Sequence, residues 1–424
     1  MVPHRPQGKF EVNTGCRVGG VQAAGQRLVG GSLLAQGIAG QPSGRLAPGS
    51  VKAVRRWATV LPMTWSADIA IDRAATQVAA ERRDEILADP GFGQHFTDHM
   101  FVATWHAGTG WQDPTVRPYG PFSVDPATAV LHYAQEIFEG LKAYRHADGS
   151  VWLFRPEVNA ARFVRSAARL ALPALPEDDF VAALEALIDT DREWVPGGGE
   201  RSLYLRPFMF ASEAFLGVRA ASEVTFAVIA SPAGSYFSGG VRPVTIWLSS
   251  DLTRAAPGGT GAAKCGGNYA ASLLAQQEAA AHGCEQVVFL DAAERSMLEE
   301  LGGMNLFFVR ADGTLVTPEL NGSILEGVTR ASLLQLATDI GLDVEERRVS
   351  VDEWRKGVDT GDITEVFACG TAAVVTPVAA LRWDGGEAAS PQATGEVTMR
   401  LRSLLMDIQY GRVEDSHGWL HQVR

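Results

Sequence analysis

The sequence predicts a mixed α/β (α+β) protein of two domains. Segments alternating with a two-residue period and segments with three-to-four spacing follow one another through most of the chain. A Gly- and Pro-punctuated stretch at residues 231–240 parts them into two halves, and each half holds both kinds. The 424 residues, 46% of them hydrophobic and 20% charged, suffice for two cores of ordinary size.

Taken in order, residues 157–172 set Val158, Ala161, Val164 and Ala167 at helical spacing, and residues 180–194 read as a second helix. Residues 203–210 and 224–230 read as strands. After the 231–240 linker, residues 244–249 read as a strand, 269–282 as a helix and 286–290 as a buried strand. Residues 305–316 read as a hairpin turning at Ala311-Asp312-Gly313. A helix over 329–340, strands within 365–378 and a closing helix over 396–408 complete the pattern. The expected boundaries are a small N-terminal domain over 63–230, an interdomain loop over 231–243 and a larger C-terminal domain over 244–424.

Residues 1–62 stand apart, with eight Lys/Arg against one acid, many glycines and no sustained period. Their glycines disfavour the amphipathic helix of a transit peptide. They read as a disordered extension, or as a start placed too early with Met63 the true first residue.

A net charge of −12 argues against nucleic acid and anionic membranes as main partners. No run approaches the ~18 apolar residues of a membrane span. Cys16, Cys265, Cys284 and Cys369 form no CxxC and no metal-ligand spacing. No metal is therefore expected, and this usage fits a reducing cytoplasm. Cys265 reads as a small hydrophobe.

Candidate chemistry centres on residues 257–269, where small residues crowd one lysine, Lys264. A nucleotide loop is excluded: Lys264 follows Ala263 and precedes Cys265, so there is no GxxxxGK[ST], and no GxGxxG follows a strand. Alone, a lysine in a glycine loop is a solvated turn residue.

It is accompanied by ordered blocks. Leu131-His132-Tyr133-Ala134-Gln135-Glu136-Ile137-Phe138-Glu139-Gly140-Leu141-Lys142 comes first, then Ser202-Leu203-Tyr204-Leu205-Arg206-Pro207, then the Lys264 loop. Glu300-Leu301-Gly302-Gly303-Met304-Asn305, Gly327-Val328-Thr329-Arg330 and Gly370-Thr371-Ala372-Ala373 follow. From about residue 101 onward the chain thereby resembles the branched-chain amino acid aminotransferases. These are class-IV, fold type IV enzymes dependent on pyridoxal 5′-phosphate (PLP).

The resemblance implies that Lys264 carries PLP as a Schiff base and, once displaced, moves the substrate proton as general acid/base. It implies Glu300 against the pyridine nitrogen and Tyr269 on the phenolic oxygen. Arg162, Val328, Thr329 and Thr371 would hold the phosphate, with help from unpaired N–H groups where a helix begins near Thr329. Tyr133, Phe138 and Tyr204 would receive the branched side chain, with Arg206 and Tyr236 near the rim. Thr371 and Ala372 would present N–H groups to the α-carboxylate, and Arg206 could pair with the side chain of glutamate. On the residues alone, Glu300 is as readily a solvated acid beside Glu299, Tyr269 and Phe138 core aromatics, and Arg162 an exposed helix arginine.

The implied reaction is reversible transfer of the amino group of leucine, isoleucine or valine to 2-oxoglutarate by a homodimer, ending branched-chain biosynthesis or beginning degradation. An apolar pocket discriminates one methylene by only ~1–3 kcal/mol, so one site can accept all three. Where animal members carry CxxC, this chain has Ala373-Val374-Val375-Thr376, and their thiol switch is not expected. Gly302-Gly303 stands where those members have Gly-Thr, which removes a hydroxyl from the pocket floor. The competing readings are a lyase acting on aminodeoxychorismate, a D-amino acid aminotransferase, and a non-enzymatic PLP carrier. The first two blocks favour the branched-chain reading over the other two enzymes, and the intact set around Lys264 argues against a carrier.

Overall fold

Among the described residues, two nine-stranded sheets carry the fold. The computed structural model describes residues 65, 68–234 and 241–424. The expected extension over 1–62 lies outside these residues, as does Tyr236.

The first sheet contains β1 (Ala70–Ile71), β2 (His99–His106), β3 (Gly110–Pro118), β4 (Glu136–Phe138), β5 (Leu141–Arg145), β6 (Val151–Phe154), β7 (Ser202–Ala211) and β8 (Glu223–Ala233). The second contains β9 (Val244–Ser249), β10 (Gln286–Leu290), β11 (Leu298–Leu301), β12 (Asn305–Arg310), β13 (Leu315–Pro318), β14 (Val344–Arg347), β15 (Ile363–Gly370), β16 (Val374–Trp383) and β17 (Gly386–Ala389). A last strand, β18 (Leu420–Val423), returns to pair with β6 of the first sheet. The helices are α1 (Ala80–Ala88), α2 (Val130–Tyr133), α3 (Pro156–Arg169), α4 (Glu177–Thr190), α5 (Gly266–Ala270), α6 (Leu273–Ala281), α7 (Val328–Asp339), α8 (Val351–Thr360) and α9 (Glu396–Gln409).

The first sheet is antiparallel apart from the β1–β3 pair. One face is covered by α3 and α4, whose buried Phe163 and Phe180 rings meet at 5.3 Å, with Phe163 5.6 Å from Phe226 of β8. Each such ring contributes ~1.5–3 kcal/mol by leaving water. In the second sheet β9 runs parallel to both β10 and β16. Trp354 of α8 packs on Phe308, and Leu333 of α7 and Leu401 of α9 join the stacked Phe307–Phe367 pair. Helix α8 starts because Ser350 accepts the Glu353 N–H at 3.0 Å, and it ends at Gly361, whose φ of 83° suits glycine.

The mixed architecture is the one expected. Three local differences have physical causes. The helix read over 269–282 is two helices, because the Ser272 hydroxyl donates to the Tyr269 carbonyl at 2.7 Å and competes with continued helix there. Strand β8 runs three residues into the expected linker, since Pro232 and Ala233 still pair with Leu203 and Ser202. The chain closes on β18 rather than on the helix at 396–408.

Alternation along β7 positions the site. Leu203, Leu205 and Met209 are buried, whereas Tyr204, Arg206 and Phe208 are half-buried. Side chains two apart share a face. Phe138 and Glu136 of β4 stand opposite Phe208 and Phe210 and therefore project on the face of Tyr204 and Arg206.

Candidate active site

Lys264 lies in the loop between β9 and α5, and its backbone is held from two elements. Phe138 donates its N–H to the Lys264 carbonyl at 2.9 Å, and the Lys264 N–H donates to Ser166 Oγ at 3.0 Å. Asn268 stiffens the loop by donating to the carbonyls of Thr260 and Ala263, each at 2.8 Å. Gly261 is required by close approach: a Cβ there would stand 2.2 Å from the Ser323 carbonyl oxygen.

These constraints aim the amine inward. Lys264 Nζ donates to the Tyr269 hydroxyl at 2.6 Å and lies 4.8 Å from the centre of the Phe138 ring. The Phe138 and Tyr269 rings are 4.9 Å apart. The structure therefore brings together Lys264, Tyr269 and Phe138 from separate blocks of sequence.

Glu300 sits on β11 and is 2% exposed. Burial pushes its carboxyl up to about 7, against the opposing charge of Arg254, whose Nη1 is 2.9 Å away. The Leu325 N–H at 2.8 Å and the charge of Lys264 also favour the ionised form. Glu299 is buried too and is bound by Ser323 and Asn321, so it is no surface acid. Neighbours on a strand point to opposite faces.

Arg162 is not an exposed helix arginine. Its Nε and Nη2 grip the fully buried Glu139 at 2.7 and 2.8 Å, and its Nη1 donates to the Glu326 carbonyl at 2.8 Å. Burial raises the Glu139 carboxyl, but the Arg162 charge and hydrogen bonds outweigh it and hold it below its ordinary value. Glu326 directly precedes Gly327, the cap of α7. A Cβ on Gly327 would meet Asn305 Oδ1 at 2.1 Å, so this cap is a second position that requires glycine. Val328, Thr329 and Thr371 line one cavity together with Asn159 and Lys142.

On the shared strand face, the Arg206 guanidinium stacks 4.8 Å over Phe138 and 5.4 Å over Tyr204, and it donates to the Tyr204 hydroxyl at 3.2 Å. Gly140 lets Tyr204 in, since a Cβ there would lie 2.0 Å from its hydroxyl. Tyr133 is placed apart from this group: it is 38% exposed and its hydroxyl donates to the Leu216 carbonyl. Ala372 accepts from Lys142 Nζ at 3.0 Å through its carbonyl. Burial, with help from the charge of Arg402, pushes the Lys142 ammonium down to about 8.

Sequence reasoning gave no role to Glu139, Lys142, Ser166 or Arg254. Glu139 and Lys142 stood within the first block, where an acid and a base amid apolar residues were the available signal. Ser166 and Arg254 carry no local signal, because their partners arrive only through tertiary packing.

The arrangement offers a lysine amine beside a phenol, a buried carboxylate able to change protonation near neutrality, and an aromatic pocket holding one guanidinium. Residues 136–381 match the family model for amino-transferase class IV. A Streptomyces coelicolor protein named "Probable branched-chain-amino-acid aminotransferase" is 61% identical over 357 residues, covering 84% of this chain and 98% of its own. The branched-chain-amino-acid aminotransferase of Mycobacterium tuberculosis H37Rv is 57% identical over 356 residues, covering 83% and 97%. The crystal structure of the branched-chain amino acid aminotransferase from Thermobaculum terrenum, in its PLP-bound holo form, superposes with a TM-score of 0.61 at 26% identity, covering 76% of this chain and 98% of that one.

Proposed function

The chain belongs to the class IV amino-transferase family, and from that premise we infer that it is a PLP-dependent branched-chain amino acid aminotransferase. It takes the amino group of leucine, isoleucine or valine and passes it reversibly to 2-oxoglutarate. The observation that carries this reading is the 2.6 Å approach of Lys264 Nζ to the Tyr269 hydroxyl beside Phe138, with buried Glu300 within electrostatic reach.

The donor set fits PLP: one primary amine, a phenol for the phenolic oxygen, a buried carboxylate for the ring nitrogen, and a helix N-terminus with Thr371 for the phosphate. When bound, PLP supplies the electron sink that lets a proton leave the substrate α-carbon. The Lys264 amine is placed to take that proton and to hand it back as general acid/base, and the Tyr269 hydroxyl orients the amine. The Glu300 carboxylate holds a proton at the ring nitrogen. Arg162 uses three of its five donors on Glu139 and Glu326, and the remaining two serve the phosphate with the N–H groups of Val328 and Thr329. Phe138 and Tyr204 bind the aliphatic side chain, and the family pattern assigns Tyr133 to the same pocket and Tyr236 to its rim. Arg206 receives the side-chain carboxylate of glutamate. The N–H groups of Thr371 and Ala372 receive the α-carboxylate.

The same reading takes residues 63–230 as the small domain, 231–243 as the interdomain loop and 244–424 as the large domain. It takes the enzyme as a cytoplasmic homodimer acting at the last step of branched-chain synthesis or the first of degradation. Among the described residues no helix is long and apolar enough to cross a membrane.

Purified protein given leucine and 2-oxoglutarate should form 4-methyl-2-oxopentanoate and glutamate. Release of pyruvate from aminodeoxychorismate, with no 4-methyl-2-oxopentanoate from leucine, would overturn the reading.

A further inference from the structure

Glu136 has no part in the roles above, yet it stands between two of their residues. Its carboxylate accepts the Gly266 N–H, two residues after Lys264. A Cβ on Gly266 would lie 2.2 Å from Glu136 Oε1, so the loop comes as close to this carboxylate as only glycine allows. With the Phe138 N–H on the Lys264 carbonyl, residues 136 and 138 of β4 grip the loop just after Lys264, on both sides of Cys265. The strand register puts Glu136 on the face that carries Phe138, Phe208 and Arg206.

Arg206 needs a counter-charge on that face. Its guanidinium contacts the Phe138 and Tyr204 rings and the Tyr204 hydroxyl, none of them charged, and its Nε is buried without a hydrogen-bond partner. Burial pushes the half-buried Glu136 carboxyl up, while the Gly266 N–H and the charge of Arg206 act against that rise.

We propose that Glu136 is a specificity-determining residue, the carboxylate that balances Arg206 while an aliphatic side chain fills the aromatic pocket and that weakens Arg206 toward a substrate's second carboxylate. This rests on the assignment of Arg206 to the substrate pocket. The physical reason is desolvation. An aliphatic side chain expels water and leaves Arg206 as a buried cation, which is costly without a nearby anion. A dicarboxylate brings its own anion and must then share Arg206 with Glu136.

The test is calorimetric titration of the holoenzyme with two unreactive probes, glutarate and 4-methylvalerate. Glu136→Gln keeps an acceptor for the Gly266 N–H and removes the charge. The ratio Kd(glutarate)/Kd(4-methylvalerate) should fall roughly 5–10-fold. Glu136→Ser, read the same way if the first variant does not fold, should show the same fall together with slower turnover from loss of the loop contact. An unchanged or raised ratio in the folded variant overturns the proposal. Arg206→Gln, run alongside, separates premise from proposal. If it weakens glutarate while Glu136→Gln leaves the ratio unchanged, only the role of Glu136 fails. If it leaves glutarate binding untouched, the pocket assignment fails and takes the proposal with it.

Discussion

Glu139 and Glu300 are both buried carboxylates facing an arginine, and their carboxyls shift in opposite directions. Both lose water, which favours the neutral acid. Glu139 is repaid through two guanidinium contacts from Arg162 and a third hydrogen bond from Asn159 at 2.8 Å. Glu300 has one approach from Arg254, one backbone N–H and a long contact from Asn305 at 3.5 Å. The number and geometry of donors therefore decide the sign, not the presence of an arginine. The saturated pair is an anchor. The under-donated acid is left with capacity for one more strong donor, which is what a carboxylate serving a protonated ring nitrogen requires.

Breaking the saturated pair should have the largest effect. Glu139→Ala strands Arg162 as a buried uncompensated charge and should cost about 3–5 kcal/mol of unfolding free energy, read from the denaturant midpoint. Glu300→Gln should behave differently. Turnover should fall about 10²–10³-fold, or ~3–4 kcal/mol, while stability stays near that of the parent. A stability loss as large as that of Glu139→Ala would erase the distinction between the two pairs.

The pH dependence sharpens the comparison, because the signs differ. The folded Glu139 carboxyl lies below its ordinary 4.5, so its stabilisation is present above that value and is lost as pH falls through the folded one. The folded Glu300 carboxyl lies at about 7, so the folded state keeps a proton that the unfolded chain releases above 4.5. Stability from this group therefore declines as pH rises from 4.5 to about 7. In the apoprotein, Glu300→Gln should flatten that decline and Glu139→Gln should flatten the acid limb, as followed by thermal melting across the range. The smallest effect is expected at Tyr269→Phe. Losing one hydrogen bond to Lys264 should slow turnover about 3–10-fold with little change in stability.

Much of this is legible in the sequence itself. The apolar period of α3, the 305–316 hairpin with its turn at Asp312-Gly313, and the small-residue loop around Lys264 are local signals, and local signals survive folding. The β2–β3 hairpin was not read from the sequence. The break at Ser272 depends on a single side-chain-to-backbone hydrogen bond that a periodicity cannot carry. In the site, Lys264, Tyr269 and Phe138 converge as the ordered blocks suggested. Tyr133 stands apart from that group, exposed and bound to the Leu216 carbonyl. Arg254 was invisible because nothing near it in sequence announces a partner 46 residues away at Glu300.

The most direct test of the central claim is Lys264→Ala. The purified variant should lack the long-wavelength absorbance of lysine-bound PLP, and turnover of leucine with 2-oxoglutarate should fall by at least ~10⁴-fold. A folded variant that keeps that absorbance, or that turns over at the parent rate, contradicts the assignment of Lys264.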